Sequence, residues 1–319
     1  MRGSVLGQVN ALLSNITAFG TSKYESKEAL RENGAKTWHD IGKGLDKIFS
    51  YSTANKYREV WREVLSYAKE NFKVKDAEKL NADHIKAYLQ NKIEGNVKYS
   101  TFQTYASAIE KLEVALNKWS KLYSKQNTYS FSDAIKDLRQ TASERLDHFS
   151  GTRNYENPKA IVSAIKDERY SIAAHIQYES GARIDEMYKL TEKNLHGISK
   201  DEYTQKDIGL VEVKGKGGKT RELKLNIYTY ERLESYIKQN ASFELKDKDS
   251  YRSAIKDTAI NTGQAYDSRG SHGLRWNFAQ ERFQELQKNS IAYMQAIQIV
   301  SIEMGHNRPD ITERYLFGK

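Results

Sequence analysis

Four short stretches in the second half of the chain carry side chains able to bind anions and move protons. Gly181-Ala182-Arg183-Ile184-Asp185-Glu186 sets an arginine after a glycine break, and Gly215-Lys216-Gly217-Gly218-Lys219 sets two lysines in a glycine-rich turn. Ser271-His272-Gly273-Leu274-Arg275 holds a histidine and an arginine three apart, on one face of a helix. Gly305-His306-Asn307 follows an apolar stretch, and Tyr315 comes nine residues after His306. Guanidinium forks match anionic oxygens, and imidazole exchanges protons near neutral pH. Taken singly, each stretch has a plainer reading: a surface ion pair, a chance His-x-x-Arg, one tyrosine among 21.

Other chemistries fail on spacing. A phosphate-binding P-loop ending at Gly218 needs a glycine where Val213 stands, and a dinucleotide fingerprint from Gly215 needs one at Thr220. No His-Glu-x-x-His or Gly-x-Ser-x-Gly is present, and the seven histidines do not cluster at metal-ligand spacing. With no cysteine there is no disulfide scaffold, thiolate nucleophile, zinc ribbon or iron–sulfur cluster.

The scaffold that must position these residues reads as mainly helical, with two Pro in 319 residues and 38% hydrophobic content, and its length favours two domains. Val5, Val9, Leu12, Leu13 and Ile16 predict a helix over 4–19, and a short one follows at 27–32. Tyr57, Val60, Trp61, Val64, Leu65 and Ala68 form the clearest stripe, over 53–71, with Thr53 as N-cap. Asn81 caps the next helix, Ser100 or Thr101 opens a long one to about 122, and another covers 132–147. The expected organisation is an N-terminal helical extension at 1–39, a helical domain at 40–148, a linker at 149–158 and a second domain at 159–319. In the second domain helices are expected at 158–166, 171–180, 183–190, 228–239, 250–261, 272–287, 290–304 and 309–316. The period changes at Ile208–Lys214 and Thr220–Leu225, predicting a β-hairpin around the glycine-rich turn.

The net charge is +9, and +6 of it falls in residues 41–130. That concentration suits a nucleic-acid clamp, although a solvated lysine-rich helical domain accounts for it equally well. No apolar run reaches the roughly 18 residues of a membrane span. The start lacks a signal core, so an intracellular protein is expected.

The order Arg, hairpin Lys, His-x-x-Arg, Gly-His, Tyr, after a basic helical domain, resembles the tyrosine recombinase (phage integrase) family. The resemblance rests on G-A-R-I-D-E, V-K-G-K-G-G-K-T-R-E-L, S-H-G-L-R and M-G-H-N-R-P-D-I-T-E-R-Y and covers 151–319; the first domain matches by pattern only. It implies an all-helical core-binding domain plus an α-rich catalytic domain with a small antiparallel sheet or hairpin. Tyr315 would attack a DNA phosphodiester, leaving a 3′-phosphotyrosyl bond and a free 5′-hydroxyl. Because a tyrosine of pKa near 10 is about one part in a thousand ionised at pH 7, it needs a proton acceptor, and His272 takes that role. Arg183 and Arg275 would clamp the non-bridging oxygens, and His306 would hydrogen-bond the scissile phosphate. Lys216 would protonate the leaving 5′-oxygen, with Lys219 as competitor. Glu186 would orient the Arg183 turn or His272, or be a plain exposed carboxylate.

No metal, ATP or other cofactor is implied. Double-stranded recombination sites are the implied partner, held by a homotetramer that exchanges strands through a Holliday junction, with an accessory bending or excision factor as a further partner and no membrane. Helices 53–71 and 100–122 would face the major groove, with the linker as hinge. Lys98, Tyr99, Ser100, Thr101 and Lys219 are candidate DNA contacts, the first four being equally an ordinary capped helix start. The ending favours the integrase or excisionase of a mobile element, cytoplasmic and nucleoid-associated. A Xer-like chromosome-dimer resolvase, a type IB topoisomerase-like enzyme and a non-catalytic DNA binder are the alternatives. Only four residues follow Tyr315, so a docking tail is expected to be minimal or truncated, with the apolar helix at 4–19 as a substitute contact.

Overall fold

The computed structural model describes residues 1, 3–215, 218, 220–267, 269–306 and 308–318, without the side chains of residues 38, 39 and 43. Lys216 and Lys219 therefore lie outside the described residues. The chain divides into two compact units, Met1–Phe149 and Ser150–Lys319. Among the described residues, no helix is long and apolar enough to cross a membrane.

The first unit contains α1 (Val5–Ser14), α2 (Lys23–Glu32), α3 (Trp38–Gly44), α4 (Tyr51–Phe72), α5 (Ala82–Glu94), α6 (Tyr99–Leu122) and α7 (Ser132–Arg145). The stripe on α4 is buried as its spacing predicts, and Trp61, fully enclosed, donates its indole N–H to the carbonyl of Ala108 on α6 at 2.7 Å. The N-cap of α4 is Ser50 rather than Thr53: its hydroxyl oxygen accepts from the Thr53 amide at 3.2 Å. Tyr51, Ser52 and Thr53 are exposed, so the apolar stripe says nothing about that first turn. Likewise α6 begins at Tyr99, whose amide donates to the Asp147 carbonyl at 3.0 Å, which leaves Ser100 and Thr101 inside the helix. Val9, Leu12 and Leu13 of α1, with Ile16 just beyond it, are buried in the same core as α4–α7. The apolar face once open to a substitute contact is thus occupied within its own unit.

The second unit runs α8 (Pro158–Ala164), α9 (Glu168–Ser180), β1 (Lys189–Leu190), β2 (Leu195–Lys200), β3 (Asp207–Lys214), β4 (Thr220–Leu225), α10 (Ile227–Asn240), β5 (Phe243–Glu244), α11 (Lys248–Asn261), α12 (His272–Lys288), α13 (Tyr293–Glu303) and α14 (Pro309–Phe317). Antiparallel β2-β3-β4 form one sheet and β1-β5 a second. The hairpin keeps the expected strands, with Lys214 opposite Thr220 at the end next to the turn. Gly209 on β3 lets α10 close onto the sheet, because a Cβ there would sit 2.1 Å from the Tyr230 ring. Segment 149–158 is anchored from Tyr155: its amide donates to Asn277 Oδ1 at 2.9 Å and its hydroxyl to the Gly270 carbonyl at 2.8 Å.

Several elements depart from the sequence expectation, α3 and β5 among them, since no element was expected at either place. The helix expected over 183–190 is a 3₁₀ turn at Ile184–Met187 followed by β1, because Leu190 pairs with Phe243 and draws the chain into a sheet. Strand β2 went unseen because its residues are largely exposed and Gly197 interrupts the alternation, with an irregularity in register between Leu195 and Ile198.

Candidate active site

The site is built where two helices end and two begin. Helix α9 stops at Gly181, which adopts φ +61°, and a Cβ there would lie 2.5 Å from the Phe278 ring of α12. Left-handed backbone and close approach together require glycine. The turn leaves the Gly181 carbonyl, an orphan acceptor at a helix C-terminus, facing two arginines. Arg275 Nη1 donates to it, and Arg221 Nη2 reaches it at 3.4 Å. Helix α13 contributes in the same way: the Met304 carbonyl accepts from Arg275 Nη2 at 2.6 Å, and the Glu303 carbonyl accepts from Arg221 Nη1. The negative ends of two helix dipoles therefore hold two guanidinium groups.

Arg275 is completely buried. Burial, with Arg183 nearby, pushes its pKa down to about 10, so it stays charged at neutral pH. Arg183 is the more accessible of the pair. Its amide donates to Glu186 Oε2 at 2.7 Å and its Nη1 to Oε1 at 2.9 Å. Glu186 is buried, not an exposed helix carboxylate, and Arg221 Nη2 donates to its Oε2 at 2.7 Å. Burial opposes its ionisation, but the bonds and charges of Arg221 and Arg183 prevail and hold its pKa below the usual carboxylate value. Two guanidinium groups thus share the Glu186 carboxylate while Arg275 binds carbonyls and His306, leaving an electropositive cleft suited to an anion.

Tyr315 on α14 enters this cleft. Its ring lies 4.8 Å from the Trp276 ring and 5.3 Å from the His306 ring, centre to centre, and the Arg275 guanidinium carbon is 5.9 Å from its centre. Its hydroxyl is 3.0 Å from His272 Nε2. His272 keeps an exposed edge, yet desolvation by the surrounding protein and the charges of Arg275, Arg153 and Arg183 push its pKa down to about 4. At neutral pH the ring is uncharged, and with Nε2 unprotonated it accepts from the tyrosine hydroxyl, the geometry of a general base.

His306 also stays neutral, because burial and the charges of Arg275, Arg183 and Arg221 push its pKa down to about 3. Its Nε2 faces Arg275 Nη2 at 2.9 Å and so accepts, while Nδ1 is 3.4 Å from the hydroxyl of Thr312. Both nitrogens are engaged with protein. In this state the ring braces Arg275 against α14 and has no Nε2 proton for a phosphate.

The fold thus gathers Arg183, Glu186, His272, Arg275, His306 and Tyr315 from three of the four stretches. Lys216 and Lys219 fall outside the described residues. Lys98, Tyr99, Ser100 and Thr101 lie in the first unit at the start of α6. Ser100 and Thr101 line a groove of about 400 Å³ with Lys56 and Tyr105, whereas the Tyr99 ring stacks on His148 at 4.1 Å. Sequence reasoning passed over Arg221. Its signal lies in the period of β4, where Arg221 shares a strand face with buried Leu223 and Leu225. A charged residue on an inward strand face asks for a partner, and Glu186 is that partner.

Comparison with solved structures identifies the fold. The chain is similar to the XerH site-specific recombinase bound to its difH substrate before cleavage, with a TM-score of 0.63 and 16% identity over 98% of this chain and 92% of that one. The post-cleavage XerH complex with palindromic difH gives 0.62 and 16%, covering 98% and 90%. A lambda integrase dimer bound to a COC′ core site gives 0.50 and 13%, covering 92% and 95%. Searches of protein-family models and of curated proteins found no match. The architecture is the tyrosine recombinase fold, a helical unit followed by a helix-rich unit with small antiparallel sheets.

Proposed function

We propose that this protein is a site-specific tyrosine recombinase, cleaving and rejoining DNA through a 3′-phosphotyrosyl intermediate without metal or nucleotide cofactor. The observation that carries the reading is the Tyr315 hydroxyl 3.0 Å from a neutral His272, in a cleft lined by Arg183 and Arg275. Tyr315 Oη forms the new bond to phosphorus as its proton passes to His272 Nε2, and the bond to the 5′-oxygen breaks. The leaving oxygen takes a proton from a donor, for which Lys216 on the hairpin is the candidate by resemblance. Arg183 and Arg275 meet the charge that builds on the non-bridging oxygens; such preorganised donors are each worth roughly 10²–10³ in rate. Glu186 holds Arg183 in place. The phosphotyrosyl bond conserves the energy of the phosphodiester, so attack by a 5′-hydroxyl rejoins DNA without ATP. Two rounds of exchange within a tetramer, through a Holliday junction, would complete recombination, and the Met304–Leu316 ending favours service to a mobile element.

The test is covalent trapping in EDTA on nicked duplexes with randomised flanks, whose 5′-hydroxyl fragment is lost after cleavage. Wild type should give an SDS-resistant protein–DNA band that Tyr315→Phe lacks. Tight binding by both proteins with no band from either would overturn the chemistry and leave a DNA-binding protein. Relaxation of supercoiled plasmids with no preferred sequence and no junctions would replace the recombinase with a topoisomerase.

A further inference from the structure

We infer that Arg221, outside the set of residues proposed to touch DNA, is a positioning residue for phosphate binding, acting through Glu186 to set the angle of Arg183. The inference rests on the recombinase reading and extends its site. The Arg221 side chain is 11% exposed and that of Arg183 27%, with the Glu186 carboxylate, 1% exposed, between them. Glu186 uses its two oxygens in two directions. Oε2 accepts from Arg221 Nη2 and from the Arg183 amide, both at 2.7 Å, while Oε1 accepts from Arg183 Nη1 at 2.9 Å and faces Arg221 Nε at 3.4 Å. The rest of the Arg221 fork goes to the carbonyls of Glu303 and Gly181. Its donors are therefore directed at protein, and it cannot turn toward a phosphate without leaving Glu186 half-satisfied in a buried place.

Arg221 is itself anchored from behind. The carboxylate of Glu303, whose carbonyl it binds, is held by Lys224 at 2.9 Å and by Arg282 at 2.8 and 2.9 Å. At Gly305, with φ +67°, a Cβ would lie 3.0 Å from Arg221 Cδ and 3.4 Å from Arg183 Nη1, so one bare turn packs against both arginines. A flexible surface arginine at position 183 would have to be ordered by the substrate. Braced through Glu186, its fork is ordered beforehand, which is the condition under which a guanidinium aids phosphoryl transfer. Lysine at 221 would keep the charge but lose the planar fork that spans Glu186 and two carbonyls.

The experiment measures adduct formation on the sequences that wild type traps from the randomised nicked library. Each is prepared with an ordinary phosphodiester or with a neutral methylphosphonate at the scissile position. If Arg221 acts by aiming Arg183 at anionic oxygens, Arg221→Gln slows the phosphodiester reaction by about 100-fold or more and the methylphosphonate reaction by under about tenfold. Arg221→Lys falls between wild type and Arg221→Gln. The double variant Glu186→Gln/Arg221→Gln is no slower than Glu186→Gln alone by more than about threefold, because the two residues act as one unit. Wild-type rates in Arg221→Gln, equal losses on both substrates in a variant with a wild-type melting curve, or multiplying losses in the double variant would each overturn the inference. Should Arg221→Gln not fold, Arg221→Lys carries the same comparison. A wild type that traps no DNA removes the recombinase reading and this inference together; a wild type that traps, matched by Arg221→Gln, removes this inference alone.

Discussion

Replacing Gly181 by alanine should damage stability and chemistry together, and the structure separates the two causes. At φ +61° an alanine pays roughly 1 kcal/mol or somewhat more for the left-handed conformation. Its Cβ would also stand 2.5 Å from Phe278 Cδ1 and 3.1 Å from Cε1, a contact real side chains do not make. Phe278 is buried and packed with Ala279, Val300 and Met304, so relieving the overlap means moving the ring or the turn, at about 1–3 kcal/mol. The expected total is about 2–4 kcal/mol. Gly263 supplies the control: its φ is +71° and a Cβ there meets nothing within 4 Å, so Gly263→Ala should cost only the roughly 1 kcal/mol of strain. Urea unfolding of both variants measures the difference. Any shift of the turn also moves the carbonyl that holds Arg275 and Arg221, so Gly181→Ala should lose adduct-forming rate while Gly263→Ala keeps it. Adding Phe278→Leu to Gly181→Ala should return part of the stability. Equal destabilisation by the two glycine substitutions, with wild-type cleavage in both, would refute the packing argument and the carbonyl's role.

Three further outcomes are expected. Tyr315→Phe should abolish the covalent adduct while DNA binding, read by gel shift, and the melting curve stay close to wild type, since it removes one partly exposed hydrogen bond worth about 1 kcal/mol. The adduct-forming rate should hold nearly level from pH 8 to about pH 6 and fall only toward pH 4, because His272 is neutral above its pKa of about 4; a fall centred near pH 6.5 in single-turnover rates would contradict this. Asp201 is 2% exposed and is bonded by Lys224 at 2.8 Å and by Arg282 at 2.6 Å, which together outweigh burial and hold its pKa well below the usual value. Its contribution is present above the unfolded carboxylate pKa and is lost as pH falls through the lower folded value. Asp201→Asn should therefore destabilise by about 3–5 kcal/mol at pH 7, with the gap from wild type narrowing below about pH 4 in urea unfolding.

What could be read from the chain was whatever repeats at a fixed period or follows a fixed order. The stripe from Tyr57 to Ala68, the Asn81 cap, the two hairpin strands and Pro309 at the first position of the last helix are local matters of side-chain spacing and backbone donors, and the structure contains each of them. Arg183, His272, Arg275, His306 and Tyr315 stood out because their order resembles a known pattern, and the fold brings them into one cleft. Tertiary structure decided the rest. Pairing of Leu190 with Phe243, some fifty residues away, overrode the helix expected after Arg183, and contact with Glu186 gave Arg221 its place. The protonation of His272 and His306 likewise comes from burial and from arginines supplied by other elements. Sequence spacing states which groups can share a helix face or a strand face. How far a histidine is desolvated, and which charges surround it, depends on segments that meet only when the chain has folded.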